Sequence, residues 1–131
     1  MRTIKFRGKK PTNGVWVYGS LVYSNEIQAA IYFQTGRGLV KSMEWVYVNP
    51  ETVGQFTGLY DKNEKEIYEG DILKVQGLGE KIEVRFVRGV FAFLWNGDLD
   101  DEAPINAPTQ EWAEVVGNIH DNPKLIKRRK G

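Results

Sequence analysis

The sequence predicts a mainly-β protein: antiparallel strands forming a small SH3-like barrel, with additional N-terminal strands and one short C-terminal helical turn. Three observations carry this expectation. Short runs rich in Val, Ile, Tyr, Phe and Trp alternate with Gly, Asn and Pro, the punctuation of strands and tight turns. KIEVRFV alternates apolar and charged residues strictly, which places one face on a core and one in water. No long amphipathic helix can be traced, and 131 residues with 41% hydrophobic and 12% aromatic content suit one core rather than two.

The elements follow in order. TIKFRG reads as a first strand, with Ile4 and Phe6 on one face. After the turn KKPTNG, the run GVWVYGSLVYS carries large residues on both sides and is expected to be buried on much of both faces. EIQAAIYFQ admits strand or helix; its Ile31-Tyr32-Phe33 end and flanking strands favour strand. TGRG is a turn, and MEWVYV a strand that Asn49-Pro50 terminates.

In the second half, DILKVQ and KIEVRFVR flank Gly77-Leu78-Gly79 as a hairpin. Ile82, Val84 and Phe86 should point inward, and Lys81, Glu83 and Arg85 outward. Arg88-Gly89 turns the chain into VFAFLW, completing a three-stranded meander, and NGDLDDEAPINAPTQ is a polar connection. AEVVGNI is the closing strand, and DNPKLI a short turn or helix with Pro123 near its first position. The barrel is expected to include Asp71 to Trp95 and to be closed by Ala113 to Ile119. The predicted organisation is a single β-rich domain over 1–126, with N-terminal strands in 1–50, a barrel-like part in 51–119 and a cap in 120–126. A basic mobile tail follows at 127–131.

Cysteine is absent, which excludes disulfides, thiolate nucleophiles and thiolate metal sites. No apolar run approaches the roughly 18 residues of a membrane span, and the charged start MRTIKFRGKK does not resemble a signal peptide. The expectation is a soluble protein of the bacterial cytoplasm with no membrane partner.

Net charge is +1, but it is strongly partitioned. Residues 1–25 hold five bases and no acid, residues 124–131 hold another five, and the stretch between holds eight bases against all 17 acids. Basic ends around an acidic middle can attract a polyanion or pair with the middle of the same or another copy.

Tests for catalytic and ligand motifs fail. A calcium loop beginning at Asp61 would need Asp or Asn at its fifth position and Gly at its sixth, where this chain has Lys65 and Glu66. Instead, Asp61-Lys62-Asn63-Glu64 fits a β-turn, with Asp61 able to bond its own backbone and Asn63 tolerating a left-handed conformation. In EGDILKV, Gly70 supplies a special backbone angle where the strand begins, and Asp71 accepts nearby N–H groups. Glu66, Glu69 and Asp71 are close in sequence, but nothing places them in a concave apolar site. His120 is the only histidine, and Ser20, Ser24 and Ser42 lie outside a nucleophile-elbow pattern. Gly36-Arg37-Gly38 and Gly77-Leu78-Gly79 lack the third glycine of a dinucleotide loop, and no phosphate-loop motif occurs.

No catalytic, metal or cofactor residue is therefore assigned. Trp16, Trp45, Trp95 and Trp112 are expected mostly in the core, although aromatics near the basic ends could stack on single-stranded nucleic acid. Candidate polyanion contacts are Lys9, Lys10, Lys127, Arg128, Arg129 and Lys130.

Three segments resemble the YopX family of small phage and prophage proteins. VGQFTGLYDKNEKEIYEGDILKV, Val53 to Val75, is similar to the family's signature; VVGNIHDNPKLI, Val115 to Ile126, to its closing motif; and IKFRG to its start. Glu64 departs from the pattern where the family usually has Gly, as does Lys124 where an acid is common. The resemblance implies a phage or prophage origin, a compact β-rich fold and no catalytic residues to carry over. Its shared positions here, Gly54, Gly58, Asp61, Asn63, Gly70, Asp71, Gly117, Asn118 and Pro123, are turn and cap residues. The functional expectation is a non-enzymatic, self-associating interaction module, meeting another copy or a phage or host protein. The alternative is a weak, sequence-independent nucleic-acid binder using the basic termini.

Overall fold

A computed structural model describes residues 2–25, 28–95, 102–104 and 109–126. It is mainly β, with antiparallel sheets and one short α-helix. The chain forms two compact units, residues 1–56 and 57–131.

The first unit contains β1 (Phe6–Lys9), β2 (Trp16–Tyr23), β3 (Ala29–Arg37) and β4 (Val40–Val48), in spatial order β4-β3-β2-β1. A 3-10 turn (Pro50–Thr52) then leads into β5 (Gly54–Tyr60), whose Gly54 and Gln55 pair with β1. β2 changes ladder partner midway: Trp16 to Gly19 pair with β1, and Ser20 to Tyr23 with β3. The change falls at Gly19, where a Cβ would collide with the Tyr32 carbonyl oxygen. Gly8 likewise admits Val48, whose side chain stands 2.8 Å from where a Cβ would be. These close approaches gather a small core of Val17, Ala29, Ile31 and Val48, flanked by Phe6, Leu21, Phe33 and Val46.

The second unit holds the rest of β5, β6 (Glu66–Tyr68), β7 (Asp71–Val75), β8 (Lys81–Val87), β9 (Val90–Trp95), β10 (Glu102–Pro104), α1 (Thr109–Trp112) and β11 (Ala113–Asn118). Five of its strands run in the order β10-β9-β8-β7-β11. The predicted meander is present, its second turn closed by Arg88 and Gly89 at φ 50° and 83°, a hairpin geometry that matches strand twist. Ile67, Leu73, Ile82, Val84, Phe93 and Ala113 form the core, with Trp95 against it.

Several sequence expectations need correction. β5 and β6 form where the sequence marks turns and no strand before Asp71; Gly54 and Gly58 lie within β5. The strand at the start begins at Phe6 and leaves Ile4 exposed. β2 buries Val17 alone and exposes Tyr18, Val22 and Tyr23, since apolar residues on both faces do not secure two covering layers. In β8 the outward-pointing Glu83 is fully buried and the inward-pointing Phe86 is 52% exposed. Glu83 keeps an ionic partner, with Arg85 Nε 3.0 Å from its carboxylate, the condition under which a carboxylate enters an interior. Phe86 lies at the hairpin end and packs edge-on against Phe91 at 5.2 Å. β10 occupies part of the expected polar connection and pairs with β9.

Candidate interaction surface

Cross-strand partners share a face of a sheet, so the register of the first unit defines one continuous surface. β4 contributes Lys41, Met43, Trp45 and Tyr47; Tyr32 of β3 stands opposite Trp45, and Ser20 of β2 opposite Tyr32. Two residues back along β2, Tyr18 faces Arg7, and Trp16 faces Lys9. The opposite side of the same strands carries the core residues Ile31, Phe33, Val46 and Val48.

Aromatic rings dominate this outer face. Trp45 lies against Tyr32 at 6.1 Å with planes 25° apart, and against Tyr47 edge-on at 4.9 Å. Such pairs stabilise one another by about 0.5–1.5 kcal/mol beyond burial, which orients the rings without covering them. Tyr18, Trp45 and Tyr47 remain 45%, 46% and 49% exposed. Shallow depressions flank Trp45: Lys10, Pro11, Thr12 and Tyr47 border one, Phe33, Met43 and Glu44 the other. The Arg7 guanidinium sits 4.5 Å from the Trp16 ring centre, and Lys9 Nζ 5.6 Å, within cation–π range.

The expectation of tryptophans mostly in the core is thus revised. Trp95 packs on the second core, whereas Trp45 and Trp112 are half exposed. Small aliphatic residues fill the first core, and among the described residues the aromatics of β4 stay half exposed.

Beyond β2 the same hairpin continues as a two-stranded ribbon. β2 pairs with β3 only as far as Tyr32, while β3 and β4 stay paired from Ala29↔Val48 to Arg37↔Val40. The last five pairs therefore extend roughly 16 Å past their neighbour. Every residue from Gly36 to Trp45 is exposed, and Leu39 and Val40 stand at the tip.

The acidic segment has a different role. Asp61 is buried and fully engaged: Oδ1 accepts the backbone N–H groups of Asn63 (2.8 Å) and Lys65 (2.9 Å), and Oδ2 that of Val115 (2.9 Å). Burial by itself would raise its pKa, but the three N–H donors, together with the positive charge of Lys65, outweigh this and hold the carboxyl below its ordinary value. The left-handed residue of this turn is Glu64 (φ 64°), not Asn63, because the i→i+3 bond from Glu64 N–H to the Asp61 carbonyl positions Glu64 at the turn's end.

Asp71 Oδ2 accepts the Tyr68 N–H at 2.7 Å, and Gly70 (φ 94°) donates to Val84 while accepting from Ile119. Asn118 Oδ1 accepts the N–H groups of His120 and Asp121. Gly117 leaves room for Asn122, whose Oδ1 accepts the Asn118 N–H, and Pro123 opens a final 3-10 turn. Gly54 is buried in β5 opposite Arg7, and Gly58 takes φ 85° within that strand. Of the candidate polyanion contacts, Lys9 and Lys10 border the aromatic face, and Lys127, Arg128, Arg129 and Lys130 lie outside the described residues. Sequence reasoning missed Lys41, Tyr18, Tyr32 and Tyr47 as members of one surface; the alternation in KSMEWVY was the signal available.

Among the described residues no helix is long and apolar enough to cross a membrane. Residues 5–127 match the model of the family described as YopX protein. The fold is similar to the crystal structure of protein EF1440 from Enterococcus faecalis, with a TM-score of 0.60 and 24% identity over 97% of this chain and 100% of that one. No curated protein is significantly similar in sequence.

Proposed function

The chain belongs to the YopX family, and from this premise we propose that it is a phage- or prophage-encoded, non-enzymatic interaction module that self-associates in the bacterial cytoplasm. The observation that carries the reading is the β3–β4 ribbon. A two-stranded ribbon that beyond Phe33 is exposed from Gly36 to its tip is marginal in water, and among the described residues β4 is the last strand of its sheet, a template for pairing with another chain. Leu39 and Val40 at its tip supply apolar surface whose burial against a second copy would stabilise both. Charge favours the same partner. Residues 1–56 hold seven bases and three acids, net +4, and residues 57–126 hold seven bases and 14 acids, net −7, so unlike regions of two copies attract. In this reading the second unit is a small SH3-like barrel in which β11 returns beside β7, and its buried Asp61 and Asp71 serve the scaffold rather than chemistry.

Light scattering at low and high salt tests the proposal. The expected result is a species larger than a monomer, shifted towards monomer when Leu39→Asp and Val40→Asp are combined. A strict monomer at both salt concentrations overturns it.

A further inference from the structure

We infer that the outer face of β2–β4 is a binding surface for single-stranded nucleic acid, with Trp45, Tyr47 and Tyr18 as stacking rings and Lys10 and Lys41 as phosphate contacts. This goes beyond the self-association reading and does not rest on it. Self-association uses the ribbon tip and edge, whereas this surface is the flat of the sheet.

Two independent features point to this occupant. The first is the arrangement of the rings. Trp45 and Tyr47 project from one face of β4 and meet edge-on with centroids 4.9 Å apart, so they form an aromatic corner against which a base can stack. Both rings are close to half exposed, and Trp45 is held in orientation by Tyr32 on one side and Tyr47 on the other. Stacking of a base on an exposed ring needs no sequence-specific hydrogen bond, because every base has a π face.

The second feature is charge, which separates this occupant from a protein partner that could also use Tyr and Trp. None of the described residues of β2–β4 whose register places them on this face is acidic; Glu44, the one acid of β4, alternates to the other side and borders only the depression by Met43, away from Lys10. Lys41 lies at one end of the aromatic row, and Lys10 borders the depression beside Trp45 and Tyr47. A row of rings with a cation at each end matches a polyanion that carries bases. Duplex DNA would present only phosphates to a flat surface of this kind, so a single strand is favoured.

Fluorescence anisotropy of a labelled oligo(dT) of about 12 nucleotides, within the usual range of single-strand sites, tests the inference on the full chain. Binding should appear at low salt and weaken linearly on a log–log salt plot. Lys10→Gln and Lys41→Gln should each reduce the slope by about 0.7. Trp45→Ala and Tyr47→Ala should each weaken binding roughly tenfold, and Trp45→Phe should retain most of it. The lysine variants are surface changes that keep the test valid should Trp45→Ala disturb the sheet. Retained binding in the Leu39→Asp, Val40→Asp protein would support the inference even where self-association is lost.

Four results would overturn it. They are no binding at low salt, affinity unchanged in both the ring and the lysine variants, equal affinity for a duplex of the same length, and loss of binding only when Lys127, Arg128, Arg129 and Lys130 are changed together to Gln.

Discussion

The two units of the chain use their large apolar residues in opposite ways. In the second, Ile67, Leu73, Ile82 and Val84 are sealed in a core whose bordering turns are tied by Asp61, Asp71 and Asn118. The first has a smaller core of Val17, Ala29, Ile31 and Val48 and leaves Tyr18, Trp45 and Tyr47 on its surface. Apolar content alone therefore does not distinguish a residue that is sealed in a core from one that stays on the surface. What distinguishes them is whether a second layer covers the strand. The buried carboxylates follow the same division, because an acid satisfied by backbone N–H groups serves the scaffold, whereas the half-exposed rings beside lysines are the surface on which the proposed binding rests.

Substitutions can break or sharpen this contrast. The largest expected effect is at the second core: Leu73→Ala, at a fully buried position, should cost about 2–5 kcal/mol in chemical denaturation. Val40→Ala at the exposed ribbon tip should stay within about 0.5 kcal/mol under monomeric conditions. Equal losses at the two positions would erase the distinction between the units.

Asp61→Ala comes next. It removes the acceptor for three backbone donors and should cost on the order of 2–4 kcal/mol. Its pKa is depressed in the folded state, so the stabilisation is fully present above the unfolded value of about 3.9. That stabilisation disappears as pH falls through the lower folded value. Thermal melts of the native chain and Asp61→Asn between neutral and acidic pH should converge at the acid end; a constant gap would contradict the role assigned to Asp61.

Gly19→Ala places a methyl group against the Tyr32 carbonyl, and the backbone shift should cost about 1–3 kcal/mol. Because β2 changes partner there, amide exchange should quicken at the junction of β1, β2 and β3 and leave β7–β9 unchanged. The smallest effect is a gain. Glu64 holds φ 64°, where a side chain is strained, so Glu64→Gly should stabilise by about 0.5–1 kcal/mol after allowing for the added freedom of the unfolded chain. A loss of stability would mean that the Glu64 side chain has a compensating role.

Much of the scaffold was legible in the sequence. Turn residues announce themselves through local backbone demands, so the hairpin at Arg88-Gly89, the stop at Asn49-Pro50 and the turn at Pro123 could be placed without long-range information. The turn at Asp61 was legible to within one residue, with the positive φ at Glu64 instead of Asn63. β5 was missed because Gly54 and Gly58 suggest punctuation, whereas within the fold Gly54 pairs with Arg7 and Gly58 continues the strand. Ile82 and Val84 face the core as the period of two predicts, but Glu83 and Phe86 were misplaced because that period does not tell that the opposite face is covered at Glu83 or that burial ends before the hairpin end at Phe86.

The candidate surface was hardly legible. Trp45 and Tyr47 have the same composition and alternation as core residues, and Lys10 and Lys41 are 31 positions apart in the chain. Their common face depends on the register that places Tyr32 opposite Trp45 and Ser20 opposite Tyr32.

The sequence by itself determined the antiparallel β class, the positions of the main turns and the family resemblance, because these follow from local backbone preferences and ordered motifs. Only the tertiary structure decided which sheet faces are covered, that Glu83 is inside, and that the rings of β4 are outside with lysines beside them. Burial is a relation between segments distant in the chain, and strand pairing establishes it only when the whole unit is assembled.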